Sequence, residues 1–184
     1  MSKARSDIRS DATSDKFSRA DLDTPNDLPH EAVEQISASL NTLLADAFAL
    51  YLKTKNFHWH VSGRHFHDYH LMLDAQSEQI FASTDELAER VRKLGGLTLR
   101  SIGQISKLQT IQDNNESYVP PRQMLHELME DNKHMAAAMR KAHKLCDEHE
   151  DSGTAGLLET FIDETERRTW FLFEASRQEG SNAA

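Results

Sequence analysis

Between Gly95-Gly96 and Pro120-Pro121 this 184-residue chain has a long stretch without sustained helical periodicity, and on each side of it the apolar residues repeat at helical spacing through two long runs. Before the gap, Val33, Ile36, Leu40, Leu43, Leu44, Ala47, Phe48 and Tyr51 share one face of a first helix. Leu73, Ile80, Leu87, Val91 and Leu94 share a face of a second, which Gly95-Gly96 should stop. After the gap, Pro120-Pro121 opens a third, with Leu125, Leu128, Met135, Met139, Ala142 and Cys146 close to a seven-residue repeat. A fourth follows "EDSGTAG", with Leu158, Phe161, Ile162, Thr165, Leu172 and Ala175. The connection from Gly95 to Val119 holds a shorter candidate helix, "SIGQISKLQ". With only seven glycines and four prolines, the chain lacks the turn residues that a sandwich of short strands needs.

The flanks read differently. Residues 1–29 are polar, without helical or strand period, and close on Pro25 and Pro29, which predicts a flexible tail. Residues 30–178 form the helical domain, and 179–184 a short C-terminal tail. A single cysteine, Cys146, permits no intrachain disulfide, and no apolar run approaches membrane-spanning length. The N-terminus lacks the apolar core of a signal peptide, so a cytoplasmic location is expected. The net charge of −9 repels nucleic acid on average and attracts cations.

Two helices, a long crossover and two more helices predict an all-α, ferritin-like four-helix bundle with a short helix in the crossover; an up-down-up-down bundle would need only short loops. Bundles of this kind often hold two iron ions through Glu-x-x-His pairs on facing helices, but no histidine here has a glutamate three residues before it. The notable polar pattern is on the second helix instead. With His70 at zero and about 100° per residue, Asp74, Glu78, Asp85 and Glu89 fall between about 40° and 100°, a stripe bordering the apolar face. Such a stripe is commonly a solvated acidic edge. Here it begins with a histidine, and His58, at the end of the preceding helix, can fold back near His70 across the Gly63 turn. Histidine with carboxylates suits a metal such as iron. His70 and Asp85 lie roughly 22 Å apart along one helix, so one chain cannot bring both to one metal. Two such helices, antiparallel about a two-fold axis, can: His58 and His70 of one subunit then face Asp85 and Glu89 of the other.

The segment from His58 to Gly96, "HWHVSGRHFHDYHLMLDAQSEQIFASTDELAERVRKLGG", resembles the Dps family of mini-ferritins, and the likeness extends over about residues 30–178. The features that carry it are His-Trp, twelve residues from His58 to His70, Asp85 and Glu89 four apart, and then "ER" and "LGG". The resemblance implies a hollow homo-dodecamer of tetrahedral symmetry that oxidises Fe(II), preferably with hydrogen peroxide over oxygen, and stores Fe(III) as a mineral. It implies ferroxidase sites of two irons each, with His58 and His70 from one subunit and Asp85 and Glu89 from its two-fold partner. Asp74 stands where the family has a further acidic group, either a ligand or a residue that orients one.

Other residues carry weaker signals. His60, His65 and His67 crowd the turn and read as loop or interface residues, with binding of entering metal as the alternative. Trp59 reads as packing, with a role as electron donor beside the site as the alternative, and Trp170, Phe171 and Phe173 as core or subunit contacts. His126, His134, His143 and His149 read as surface or interface residues, and Met124, Met129, Met135 and Met139 as core. The acidic Asp147, Glu148, Glu150 and Asp151 are candidates for the iron-drawing pores that the family resemblance implies. A rival function is direct, non-specific DNA binding through the tails. Residues 1–20 carry a net charge of only +2, and Asp21, Asp23 and Asp27 bring residues 1–29 to −1, so this is the less favoured reading.

Overall fold

The computed structural model describes residues 22–177. Among them are five helices and no strand: α1 (His30–His60), α2 (Phe66–Lys93), α3 (Ile102–Leu108), α4 (Pro121–Glu148) and α5 (Ser152–Ser176). α1 packs along α2 and α4 along α5; α1 also meets α4, and α3 lies against α1. This is the expected four-helix bundle with a short helix in its crossover.

α1 has 31 residues without an internal glycine or proline, and so runs uninterrupted for about 46 Å. It buries Ile36, Leu40, Leu43, Leu44, Ala47, Leu50 and Phe57. The four methionines of α4 are all buried beside Leu125, Leu128 and Cys146, as their spacing predicts. Burial pushes the Cys146 thiol up to about 12, so it is an inert core residue at neutral pH.

The two glycines after α2 serve different ends. Gly95 takes a left-handed φ of 81°, and the N–H of Gly96 donates to the carbonyl of Val91 at 3.0 Å, closing the helix. A Cβ on Gly96 would come within 2.2 Å of Ser37 Oγ on α1, so the second glycine permits close approach of the two helices.

The crossover is held by two charged residues of α1 that the apolar pattern does not reveal. Asp46, fully buried, accepts from the N–H groups of Thr110 at 2.5 Å and Ile111 at 3.0 Å and from the Thr110 hydroxyl at 2.8 Å. Lys53, also buried, donates to the Gln112 carbonyl at 2.9 Å and pairs with Glu127 at 2.7 Å and Asp131 at 2.8 Å. Loss of solvent lifts the Asp131 carboxyl above its usual range, and the Lys53 ammonium opposes that rise. Buried charges kept this way are paired, as they must be to offset desolvation.

Two boundaries differ from expectation. α5 begins inside "EDSGTAG", at Ser152, because Asp151 caps it by accepting the Thr154 N–H at 3.0 Å. That cap outweighs the low helix propensity of Gly153 and Gly156. Of the expected flexible tail, residues 1–21 lie outside the described residues, as do 178–184. Residues 22–29 are docked at the end of α2. Thr24 Oγ1 donates to the Arg92 carbonyl at 2.8 Å, Asn26 Nδ2 to the Leu94 carbonyl at 2.9 Å, and Arg92 to the Leu22 carbonyl at 2.6 Å.

Candidate metal centre

The turn between α1 and α2 is made by Gly63, at φ 95°, and it lays the last turn of α1 against the first turns of α2. His58 and His70 meet there with rings stacked, centroids 3.7 Å apart and planes 23° from parallel. The contact is reciprocal: His58 Nδ1 lies 2.8 Å from the His70 carbonyl oxygen, and His70 Nδ1 lies 2.9 Å from the His58 carbonyl oxygen. A carbonyl only accepts, so each Nδ1 carries the proton and donates. In its neutral form each ring then presents its Nε2 lone pair, the form in which imidazole binds a metal. The His58 carbonyl is in the last turn of α1, where no intrahelical partner remains, so the His70 ring also satisfies a helix terminus.

Asp74 lies one turn beyond His70 on α2. Its Oδ1 stands 3.8 Å from His58 Nε2 and accepts a hydrogen bond from Lys55 Nζ. The hydrogen bond and charge of the Lys55 ammonium hold the Asp74 carboxyl below its usual pKa, against an opposing effect of desolvation. Asp74 is therefore ionised at neutral pH. Sequence spacing alone does not single out Lys55, although it lies three residues before His58 on the same face of α1.

Asp85 and Glu89 sit further along α2, both exposed, with Glu89 paired to Lys93 at 3.2 Å. The structure brings His58, His70 and Asp74 together within one chain and leaves Asp85 and Glu89 at a distance, as the helical spacing requires. Among the described residues no group of three or more histidine, cysteine or acidic side chains closes on a metal position within the chain.

Arg90, next to Glu89, anchors this end of α2. Its Nε donates to Thr154 Oγ1 at 2.7 Å and its terminal nitrogen to Asp151 Oδ1 at 2.5 Å. This corrects one pore candidate: Asp151 is buried, caps α5 and pairs with Arg90, so it is not free to face a channel. Asp147, Glu148 and Glu150 are exposed at the same corner.

The other turn histidines do not join the pair. His60 Nδ1 contacts the Asn56 carbonyl at 2.8 Å, His65 stacks obliquely on Tyr69, and His67 lies 3.3 Å from Asp68; all three are exposed. His143 bridges Asp147 at 3.1 Å and Glu159 at 3.2 Å, and His134 meets Thr110 at 2.7 Å. Trp59 and Trp170 are each about 60% exposed in the single chain, and Phe173 is about half exposed, which leaves large apolar surface outside the core. No helix among the described residues is long and apolar enough to cross a membrane.

Comparison with known proteins matches this architecture. A ferritin-like domain model matches residues 37–177. The DNA protection during starvation protein of Agrobacterium fabrum is 34% identical over 158 residues, covering 86% of this chain and 97% of that protein. DNA protection during starvation protein 1 of Deinococcus radiodurans is 31% identical over 145 residues, covering 79% of this chain and 70% of that protein. The crystal structure of the Dps protein from Vibrio cholerae, described as a member of a broad superfamily of ferritin-like diiron-carboxylate proteins, superposes with a TM-score of 0.79 at 25% identity, covering 84% of this chain and 98% of that one. By the family model and by its identity to these relatives, the chain belongs to the Dps family of ferritin-like proteins.

Proposed function

We propose that this protein is a ferroxidase and iron store. It assembles as a hollow homo-dodecamer and oxidises Fe(II) at sites shared across two-fold interfaces. His58, His70 and Asp74 come from one subunit and Asp85 and Glu89 from its partner. The observation that carries the reading is the reciprocal clamp of His58 and His70, which orients two imidazoles with free Nε2 atoms beside an ionised carboxylate. The relation to a diiron-carboxylate protein supports iron as the metal and two irons per site.

The residue types suit the reaction. Two Fe(II) ions each give one electron to hydrogen peroxide, which takes up two protons and leaves as two waters. Both electrons pass to one oxidant molecule, so no hydroxyl radical is released, and DNA is protected without being touched. Carboxylates from both subunits bind Fe(II) and Fe(III) alike and offset the charge gained on oxidation. The few nitrogen ligands keep binding weak enough for Fe(III) to move on to the cavity. Rapid growth of ferric absorbance on adding hydrogen peroxide to the anaerobic Fe(II)-loaded protein is the expected result; slower oxidation by peroxide than by oxygen would contradict the peroxide preference.

Lys55 gives the site an asymmetry. Its ammonium already occupies the charge position beside Asp74, so a second cation must displace it. Replacement of Lys55 by Met is expected to tighten binding of the second divalent ion by about tenfold, the effect of removing one competing charge-assisted contact. Anaerobic calorimetric titration with Co(II) reads this directly, and unchanged second-ion affinity would show that Lys55 does not compete.

Direct DNA binding is the weaker reading, because a net charge of −9 opposes it and residues 1–29 are balanced in charge. In a salt-titrated gel shift, no retarded complex is expected even at low salt, where phosphate contacts are least screened. A retained complex whose affinity falls steeply with salt would restore that role.

A further inference from the structure

We infer that the cleft between α2 and α5 binds a small oxyanion of the phosphate type on Arg168 and Gln76. Arg168 of α5 is 6% exposed, and its guanidinium donates only to neutral acceptors: Asn132 Oδ1 at 2.9 Å, Gln79 Oε1 at 2.8 Å and Thr165 Oγ1 at 2.6 Å. A guanidinium has five N–H donors, so two remain after these three bonds. Among the described residues no carboxylate bonds to it, and Glu164 acts on its charge only from a distance. Burial lowers its pKa to about 10, which still leaves it charged at neutral pH. A buried charge without a counter-charge is costly, and an anion would offset that cost.

One further donor stands beside Arg168. Gln76 on α2 is 6% exposed, and its amide Nε2 is buried with no hydrogen-bond partner. Gln76, Gln79, Arg167 and Arg168, with the apolar Met72, Ala75 and Phe171, line one open cleft of about 350 Å³, large enough for a single phosphate. No acidic residue lines it. Arg167 lies over the Phe171 ring, its Cζ 5.0 Å from the centroid, and adds a second guanidinium to the same wall. Two cations and an unpartnered amide donor, with no carboxylate, make one side of an otherwise apolar cleft complementary to a multivalent oxyanion. This inference does not depend on the iron chemistry.

The test is calorimetric titration of the assembled, iron-free protein with inorganic phosphate, at an ionic strength held constant with sodium chloride. Saturable binding at one site per chain is expected. Gln79→Glu places a carboxylate where Arg168 already donates. It is expected to raise the thermal midpoint without phosphate and to weaken phosphate binding by about tenfold or more, the scale of one charge-assisted hydrogen bond. Gln76→Leu, which removes the unpartnered donor at similar volume, is expected to keep the fold and weaken phosphate as well. Absence of saturable binding in the parent, or equal affinity in the parent and both variants, would overturn the proposal and leave Arg168 a purely structural residue.

Discussion

The Asp85→Ala, Glu89→Ala double variant is expected to lose rapid oxidation of Fe(II) by more than about 100-fold, beyond the loss that follows removal of a residue merely orienting a ligand. Both side chains are exposed in the single chain and neither supports the core, so folding should be unaffected within about 0.5 kcal/mol. Glu89 gives up only a surface pairing with Lys93, which contributes little. The check is ferric absorbance after peroxide addition, beside a sedimentation measurement that confirms assembly. Parent-like rates in an assembled variant would remove the acidic stripe from the site. A His58→Ala, His70→Ala variant should fail equally in oxidation, but it also breaks the clamp across the α1–α2 turn, so it reports on the reaction less cleanly.

Asp151→Ala should cost about 3 kcal/mol of stability, although the residue lies outside the apolar core. Asp151 is 5% exposed and carries two roles: it caps α5 and neutralises Arg90. Alanine removes the cap and leaves the guanidinium of Arg90 facing only Thr154. The consequence reaches the site, because Arg90 is the neighbour of Glu89 and ties this end of α2 to the α4–α5 corner. Urea denaturation measures the loss. A change below about 1 kcal/mol would mean that water serves Arg90 as well as the carboxylate does.

Much of the architecture could be read from apolar spacing. The four long helices, the stop at Gly95-Gly96 and the short helix in the crossover follow from residues whose burial depends on local period. The start of α5 could not, because Asp151 capping outweighs two glycines that otherwise signal a loop. The docking of residues 22–29 was equally hidden, since backbone carbonyls at the end of α2 recognise Thr24 and Asn26 and carbonyls leave no mark in a sequence. At the site, the nearness of His58 and His70 follows from two helices hinged at Gly63. Their tautomers do not, because each depends on where the other's carbonyl lies. The role of Lys55 is not legible in the sequence because it depends on a partner nineteen positions away, Asp74. Asp151 was misread for the opposite reason: its acidic neighbours suggested a solvated cluster, whereas burial and Arg90 decide its role.

The central claim is that each oxidation site is shared by two subunits, and mixing the two inactive variants tests it most directly. Subunits lacking His58 and His70 are co-assembled with subunits lacking Asp85 and Glu89. A mixed two-fold pair holds one fully damaged site and one intact site. With random pairing about half of the interfaces are mixed, so about a quarter of the parent's sites should return. Recovery of about a quarter of the parent's rapid Fe(II) oxidation is the expected result. Co-assembled particles as inactive as either variant alone would contradict a site shared between subunits.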